Sequence, residues 1–177
     1  MRHVLHITGP SFVSLIFLLF CSSVMLVASL HDIATRTIPN QLALALVIAG
    51  ISASAIGGHL FGSLAAASGV FALSAVCWRR GWMGGGDVKL LGAASVGMPA
   101  GSVLTFIAAV AMAGGVLALF YLLARQLLPF HRSPRPNGML ARVLRAERWR
   151  ISRGGPLPYA CAITAGAFFI DLFGRMS

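Results

Sequence analysis

The chain contains only four acidic residues, and two of them lie in short segments whose pattern suggests chemistry. Asp32 opens the first motif, residues 32–40, which reads Asp-Ile-Ala-Thr-Arg-Thr-Ile-Pro-Asn. Asp87 lies in the second motif, residues 84–90, which reads Gly-Gly-Gly-Asp-Val-Lys-Leu. Two facing carboxylates share one proton, because like charges close together do not both ionise easily. The ionised member can take a proton from water while the protonated member polarises a carbonyl, so the pair predicts a water-activating aspartyl protease.

Three consecutive glycines, Gly84, Gly85 and Gly86, precede the second aspartate. A turn without Cβ atoms lets the backbone come close to a peptide and adopt positive φ. An unwound backbone at this point could also pair with an extended substrate strand. We therefore expect the three glycines to form a loop that receives the substrate.

Four further positions in the two motifs are candidates for supporting the site. Arg36 and Lys89 either shape the local field and orient a carboxylate or anchor at lipid headgroups, because basic side chains commonly snorkel at helix ends. Pro39 and Asn40 indicate a turn followed by a helix, with Pro39 near the first helical position.

Competing catalytic patterns are weak. No Ser-His or Cys-His pairing accompanies the aspartates, and His31 faces a different direction from Asp32 because the two are adjacent on a helix. No GxxxxGK[ST] pattern supports phosphate binding. The three cysteines lack CxxC spacing, so neither a metal site nor a disulfide framework is predicted, and no cofactor is expected. The other acids are assigned to structure: Glu147 to the surface of a basic helix, and Asp171 to a helix-end pair with Arg175.

Composition indicates that the elements positioning these motifs lie in a membrane. Hydrophobic residues make up 58% of the chain and charged residues only 10%, whereas a soluble domain carries about 25% charged residues. Apolar runs near the ~20 residues needed to cross a bilayer recur along the sequence. The predicted fold is an all-α polytopic bundle of about six transmembrane helices, forming one integral-membrane domain over residues 1–177.

The predicted spans follow from the apolar runs at 11–30, 41–56, 60–78, 102–123 and 157–173. A further run, 88–97, has ten residues, and about 15 Å of helix is too short for a ~30 Å hydrocarbon core. It is either a partial span packed inside the bundle or is extended by its neighbours. A polar stretch at 31–40, a glycine-rich basic loop at 79–86 and an Arg- and Pro-rich segment at 125–156 separate the runs.

The formal net charge of +10 arises from fourteen Lys and Arg residues against four acids. In a soluble protein this balance would suggest nucleic acid, but the cations lie between apolar runs, so no nucleic-acid partner is predicted. Twelve cations fall in the loops near residues 36, 80 and 140, and only Arg2 and Arg175 fall on the opposite side. The positive-inside rule then places these three loops, and both motifs, at the cytoplasmic face with the termini outside.

The basic cytoplasmic loop at 125–156 contains a stretch, 139–151, that is compatible with an amphipathic helix resting on anionic lipid. Its apolar face carries Met139, Leu140, Val143, Leu144 and Ile151, and its basic face carries Arg142, Arg145 and Arg148. A merely solvated basic loop is an equally valid interpretation, because amphipathic patterns in short windows are ambiguous.

The helices are rich in Gly, Ala and Ser, which let backbones approach closely where lipid offers no hydrophobic drive. The small-residue stretches at 62–69 and 114–115 are therefore expected to form helix contacts. A homo-oligomer is compatible with surfaces of this kind.

The two motifs resemble those of the type IV prepilin peptidases, the leader peptidases of bacteria. The family pattern is an aspartate, a basic residue and Ile-Pro-Asn, followed later by Gly-x-Gly-Asp-x-Lys-Leu. The matching residues here are Asp32, Arg36, Ile38, Pro39 and Asn40 in the first motif and Gly84, Gly85, Gly86, Asp87, Val88, Lys89 and Leu90 in the second. Both motifs in this order, at loop positions of a multi-span protein, are a specific signal.

The resemblance implies a GxGD-type aspartyl endopeptidase of the bacterial inner membrane, with Asp32 and Asp87 as the catalytic residues. Such enzymes cut the leader of prepilins and pseudopilins at the cytoplasmic face, just after a glycine. Long family members begin with a cytoplasmic domain, often bearing cysteine pairs, and also N-methylate the new pilin terminus. This chain lacks that extension and any CxxC pair, so it resembles the short form associated with Flp pili and tight-adherence systems, for which methylation is not expected.

Three other functions are open on the sequence alone. A protease similar to the signal-peptide peptidases would share Gly-x-Gly-Asp, but its first aspartate would stand in a Tyr-Asp context that is absent here. A small transporter or channel could use the two aspartates for protons or cations, and predicts ion flux without proteolysis. A secretion-machine scaffold could bind lipid or partners through the basic loop and would need neither aspartate.

Overall fold

The computed structural model describes residues 12–127, 138–153 and 157–173, which form seven α-helices and no strand. In chain order the helices are α1 (Phe12–Thr35), α2 (Asn40–Ile56), α3 (Leu60–Arg79), α4 (Gly85–Val96), α5 (Ala100–Leu127), α6 (Met139–Arg153) and α7 (Tyr159–Phe173). The predicted all-α architecture is confirmed. Arg2 and Arg175 lie outside the described residues, and so does the predicted pair between Asp171 and Arg175.

Three of the described helices are long and apolar enough to cross a membrane, namely Leu15–Thr35 within α1, Leu60–Arg79 and Ala100–Leu127. Two shorter apolar helices accompany them, Asn40–Ile56 and Tyr159–Leu172. The expected set of about six spans thus divides into three full-length helices, two shorter ones and the short α4. Many large apolar side chains are exposed, with Leu104 on α5 80% accessible, as expected of surfaces that face lipid.

The short helix α4 lies inside the bundle, where α2, α3 and α7 pack against it. Its twelve residues give about 18 Å of helix, too little to cross a ~30 Å core. Seven of the twelve are buried, a larger share than in α2, α3 or α5. The interpretation of this segment as a partial span packed inside the bundle is therefore confirmed, and its first turn carries the second motif.

Polar side chains link neighbouring helices in the bundle. The hydroxyl oxygens of Ser29 on α1 and Thr164 on α7 lie 2.7 Å apart, and Thr164 also donates to the carbonyl oxygen of Met25 at 3.2 Å. Ser54 on α2 donates to the carbonyl oxygen of Val96 at 2.7 Å. Such bonds add to van der Waals packing where hydrophobic drive between helices is absent.

Small residues allow helices to approach closely, and only some of these contacts lie where the sequence predicts them. Gly114 lies against the ring of Tyr159, and a Cβ at Gly62 would touch α5, so both predicted stretches contribute a contact. A contact that was not predicted occurs at Gly166, where an added Cβ would lie 2.8 Å from the backbone nitrogen of Val110. This position on α7 stays without a side chain because the α5 backbone occupies the space.

Among the helix boundaries that differ from the sequence-based ones, two bear on the motifs. α1 continues to Thr35, beyond the end of its apolar run, so Asp32 belongs to the last turn of a helix rather than to a loop. Polar residues extend this helix, since the Thr35 hydroxyl donates to the carbonyl oxygen of His31 at 2.9 Å. α4 begins at Gly85 instead of residue 88, so Gly85 and Gly86 are helical.

The backbone of the glycine-rich loop also differs from the prediction. Positive φ occurs at Gly81, at 74°, whereas Gly84 is extended with φ −71° and ψ 144°. The expectation of positive φ and an unwound strand at 84–86 is wrong, because the helix start at Gly85 draws this backbone into the α4 hydrogen-bond pattern. Pro39 is likewise the residue before α2, one position earlier than expected.

Candidate active site

The first motif places Asp32 in the last turn of α1, where α7 covers it. Asp32 is only 7% exposed. Its carboxylate accepts a hydrogen bond from the backbone N–H of Ala160, near the start of α7. Because a buried carboxylate is costly without hydrogen-bond partners, this contact fixes where the acid lies.

The second motif places Asp87 at the third position of α4, with its side chain folded back on the helix start. The Asp87 carboxylate accepts a hydrogen bond from the backbone N–H of Gly84, the residue that caps α4. This is the acidic half of a capping box, which satisfies one of the free N–H groups at a helix start. The carboxylate comes this close because Gly84 has no side chain, and a Cβ there would lie 2.8 Å from Asp87 Oδ2.

Two direct contacts join the motifs across the bundle. Lys89 Nζ donates a 2.8 Å hydrogen bond to Asn40 Oδ1, 49 positions away. Gly86 packs against the buried side chain of Ile38, so that a Cβ at Gly86 would lie 3.2–3.3 Å from three Ile38 carbons. A side chain at Gly86 would therefore push the motifs apart. These contacts bring both motifs to one end of the bundle.

The charge of Asp32 reaches the carboxylate of Asp87. Burial is the largest influence on Asp87, and the charge of Asp32 adds to it, so the pKa of Asp87 is raised from 3.8 to about 6. The hydrogen bond from Gly84 and the charge of Arg36 oppose this rise without cancelling it. An acid whose pKa is raised by burial and a neighbouring like charge is what a proton-sharing pair requires.

Arg36 follows the end of α1 in the left-handed conformation, with φ 57°. A non-glycine residue adopts this conformation at a cost, so its surroundings must hold it there. Arg36 Nη2 donates a 2.6 Å hydrogen bond to Glu147 Oε1, and the Arg36 side chain is only 16% exposed. Arg36 is thus an internal ion-pair partner rather than a headgroup anchor, and its charge reaches both aspartates.

Glu147 lies at the centre of a cluster that joins α1, α5 and α6. Besides the bond from Arg36, it accepts hydrogen bonds from the Tyr121 hydroxyl and, at 3.0 Å, from Arg150 Nη1. The prediction that Glu147 belongs to a basic helix surface is wrong, since only 14% of its side chain is exposed. Burial alone would raise the pKa of Glu147, but the donors from Tyr121, Arg150 and Arg36 outweigh burial and hold that pKa below its usual value.

The basic loop folds into α6 between Met139 and Arg153, so the helical interpretation is confirmed for these residues and the solvated-loop interpretation is wrong there. α6 packs against α5 and α1. Arg150 Nη1 donates a further bond, of 2.8 Å, to the carbonyl oxygen of Ile33 in the last turn of α1. Glu147 and Arg150 thus face the bundle, while Leu144 from the predicted apolar face is 65% exposed.

An apolar groove begins beside the hydrogen bond between Lys89 and Asn40. It has a volume of about 630 Å³ and runs between α2, α3 and α4. Leu44, Val47 and Phe71 are among the side chains that line it. The groove therefore connects an apolar surface to the end of the bundle that holds both motifs.

A family model described as the type IV leader peptidase family matches residues 19–119, more than half of the chain, and the match includes both motifs. The chain belongs to the type IV leader peptidase family. The comparisons with curated proteins and with solved structures give no match. Within this leader peptidase the matched range runs from α1 into α5, so α6 and α7 lie beyond it.

The structure of the leader peptidase brings together most of the residues predicted for its site. Seven of them contact one another or act electrostatically on one of the two aspartates: Asp32, Arg36, Asn40, Gly84, Gly86, Asp87 and Lys89. Gly85 instead lies against Trp78, and Pro39 caps the start of α2. Asp171 is not part of this group, because it lies near Cys21, about 16 Å along α1 from Asp32.

Sequence reasoning missed three residues that lie beside the candidate site, Tyr121, Glu147 and Arg150. All three belong to the cluster that holds Arg36. A signal was present for one of them: Glu147 is the only acid in a segment with eight arginines. A lone acid among so many cations is expected to find a partner.

Proposed function

We propose that this leader peptidase is an aspartic-type endopeptidase that removes the leader of prepilins and pseudopilins, with Asp32 and Asp87 as its catalytic pair. The contact between the two motifs, through Lys89–Asn40 and Gly86–Ile38, carries the proposal because it brings both acids to one end of the bundle. The raised pKa of Asp87 supports it, since one member of the pair must keep its proton. Family membership gives the leader peptidase role.

The proposed reaction needs one water molecule and one proton on the pair. Ionised Asp32 takes a proton from water as the water oxygen attacks the scissile carbonyl carbon, and Asp87 gives its proton to the carbonyl oxygen. The tetrahedral intermediate then breaks its C–N bond as the nitrogen takes the proton held by Asp32. One hydroxyl of the intermediate returns its proton to Asp87, so the pair ends as it began.

The apolar groove beside Lys89 is the proposed surface for the membrane-spanning part of the prepilin. It is open along α2, α3 and α4 and begins at the end that holds the two motifs. A prepilin whose apolar helix lies there would present the chain near its cut to Asp32 and Asp87. Gly84 is exposed and extended, whereas Gly85 and Gly86 belong to α4. Gly84 is therefore the glycine of the motif whose backbone is free of the helix and can meet the substrate.

We place the catalytic pair at the cytoplasmic face of the bacterial inner membrane. The support is the distribution of charge: the contacts gather residues 36, 89 and 147 at one end, and the loops predicted on that side hold twelve of the fourteen cations. The exposed Arg142 and Arg148 on α6 would meet anionic lipid there.

The substrate is proposed to be a prepilin of the Flp and tight-adherence type, cut after a glycine. The support is the resemblance of the two motifs within a chain that carries no CxxC pair. Methylation of the new pilin terminus is not part of the proposed activity.

The test is a cleavage assay with the purified protein in detergent and a panel of Flp-type and long-leader prepilins, read by mass spectrometry. We expect one cut after a glycine in at least one Flp-type substrate and no mass increase from methylation when a methyl donor is added. Vesicles loaded with a pH-sensitive dye serve as the control for transport. Proton flux without cleavage of any substrate would favour a transporter instead.

The pH dependence of cleavage should report the shared proton. Because the pKa of Asp87 is raised to about 6, Asp87 is protonated below that pH and ionised above it. The rate is therefore expected to fall as pH rises through about 6, when the pair loses its last proton. Initial rates at constant ionic strength between pH 4.5 and 9 measure this limb, and a rate that still increases above pH 8 would contradict it.

A further inference from the structure

The cluster around Glu147 holds two cations with one carboxylate. Arg36 from α1 and Arg150 from α6 both donate to Glu147, and Tyr121 from α5 adds a third bond. The Arg36 groups Nε and Nη1 are buried without a hydrogen-bond partner among the described residues. The ion pair at Nη2 is therefore the main anchor of a side chain that already has a left-handed backbone.

The same cluster lies within electrostatic reach of the proposed catalytic pair. The charges of Arg36, Glu147 and Arg150 all act on Asp32, and that of Arg36 acts on Asp87 as well. Two cations and the two anions Glu147 and Asp32 thus form a balanced group at the end of α1. Buried charges are tolerated when they are paired in this way, and removal of one partner leaves the others uncompensated.

We infer that Glu147 is a positioning residue for the proposed Asp32–Asp87 pair: it holds the guanidinium groups of Arg36 and Arg150 in place, so that α6 completes the active site. The inference rests on the proposed function and adds to it a helix that lies beyond the residues matched by the family model. Glu147 acts through the two arginines and touches neither water nor peptide in this role.

The consequence is a specific effect on pH dependence. Loss of the Glu147 charge leaves Arg36 and Arg150 unneutralised beside the pair, and a stronger positive field favours ionised carboxylates. The other described titratable groups near the pair lie on α7: Tyr159 is within electrostatic reach of Asp87, and Cys161 is within reach of Asp32. Both protons of the pair are then lost at lower pH, so the pH optimum moves downward.

The main test compares Glu147→Gln with the wild-type enzyme across the pH profile of kcat. We expect the optimum to move down by about half to one pH unit. At neutral pH we expect a roughly tenfold loss of kcat with KM little changed, because positioning and not substrate binding is affected. Tyr121→Phe is the matched control, since it removes a hydrogen bond from the same carboxylate without changing any charge, and its optimum should stay in place.

A second variant serves where Glu147→Gln does not fold in detergent, as judged by size-exclusion chromatography and thermal unfolding. Arg150→Gln removes a cation from the same cluster, so its pH optimum should move upward. A Glu147→Gln enzyme with the wild-type profile, or one that loses the same fraction of its rate at every pH, would overturn the inference. So would an unmoved optimum in Arg150→Gln.

Failure of this inference is distinguishable from failure of the proposed function. An inactive Asp87→Asn protein together with unmoved optima in the Glu147→Gln and Arg150→Gln enzymes rejects the positioning role alone. An Asp87→Asn protein that cleaves at the wild-type rate rejects the catalytic pair, and the positioning role with it.

Discussion

Replacing either aspartate of the pair by asparagine is expected to abolish cleavage of a Flp-type prepilin. Asn has nearly the shape of Asp but neither accepts a proton from water nor donates one to a carbonyl, so Asp32→Asn and Asp87→Asn each remove one half of the proposed proton transfer. General acid–base groups contribute roughly 10²–10⁴-fold in rate. Because each half needs the other, the double variant should be no slower than either single one. Single-turnover rates with excess purified enzyme measure all three.

The matched control for both variants is Asp171→Asn. It makes the same chemical change in another acid of the same bundle, yet Asp171 lies near Cys21 and away from the motif end of α1. Cleavage within about twofold of wild type is expected for it, with the same elution in detergent for all variants. Cleavage at the wild-type rate by Asp87→Asn would remove Asp87 from the mechanism, and the same result for Asp32→Asn would remove Asp32.

Asparagine at position 87 should also stabilise the protein, which separates a catalytic loss from a folding defect. Folding raises the pKa of the Asp87 carboxyl from 3.8 to about 6. The folded protein therefore loses stability as pH rises between these two values, and the loss is constant at higher pH. Asn resembles the protonated carboxyl and carries no charge, so the Asp87→Asn protein does not lose this stability. The cost at neutral pH is on the order of 1–2 kcal/mol once solvent screening of the partly exposed carboxyl is allowed for.

The two aspartates could be found from the sequence because acids are so scarce in this chain. Each stands in a recognisable motif, and the bias of twelve cations against two predicted that the motifs share one side of the bundle. The contact between residues 36 and 147 and that between residues 40 and 89 place them at a common end. Spacing and charge were thus enough to predict that the two motifs lie at one end of the bundle.

The atomic contacts of the site could not be predicted, for a physical reason. α4 is buried among α2, α3 and α7, and its apolar residues are distributed around the whole helix. The sequence of α4 therefore has no amphipathic pattern that would predict its rotation about its own axis. Without that rotation, neither the Lys89–Asn40 bond nor the packing of Gly86 on Ile38 could be foreseen. Glu147 was missed because its partner Arg36 lies 111 positions away, far beyond the range of any helical periodicity.

The helix boundaries were misplaced because polar residues can continue a helix that an apolar run begins. α1 extends through the polar residues up to Thr35, and α4 starts at a glycine rather than at the first apolar residue. The second shift changes the role expected of the glycines. Instead of a loop that pairs with substrate, they provide the space in which Asp87 caps its own helix and Ile38 packs against α4.

That reassignment makes Gly84→Ala the most informative change outside the aspartates. Gly84 is exposed, and its φ and ψ of −71° and 144° suit alanine without strain. The added methyl group would lie 2.8 Å from Asp87 Oδ2, so the carboxylate must rotate away from the capping N–H. A misplacement of about 1 Å in a catalytic group can cost on the order of 10²-fold in rate. We expect that loss in kcat, with little change in the unfolding temperature.

The comparison that decides the origin of the loss is Gly101→Ala. Gly101 lies in the first turn of α5, and apart from its chain neighbours and its own helix backbone no atom lies within 4 Å of an added Cβ there. This variant therefore measures the cost of a glycine-to-alanine change at a helix start alone. Near-normal cleavage by Gly101→Ala and a hundredfold loss in Gly84→Ala would tie the effect to the Asp87 carboxylate. If Gly84→Ala instead cleaved like Gly101→Ala, the orientation that α4 gives to Asp87 would not matter for the reaction, and its capping bond would be structural only. An intermediate loss, together with a shift in the pH at which the rate falls, would show that the carboxylate moved without leaving the pair, because the repulsion from Asp32 and the bond from Gly84 both act on the pKa of Asp87.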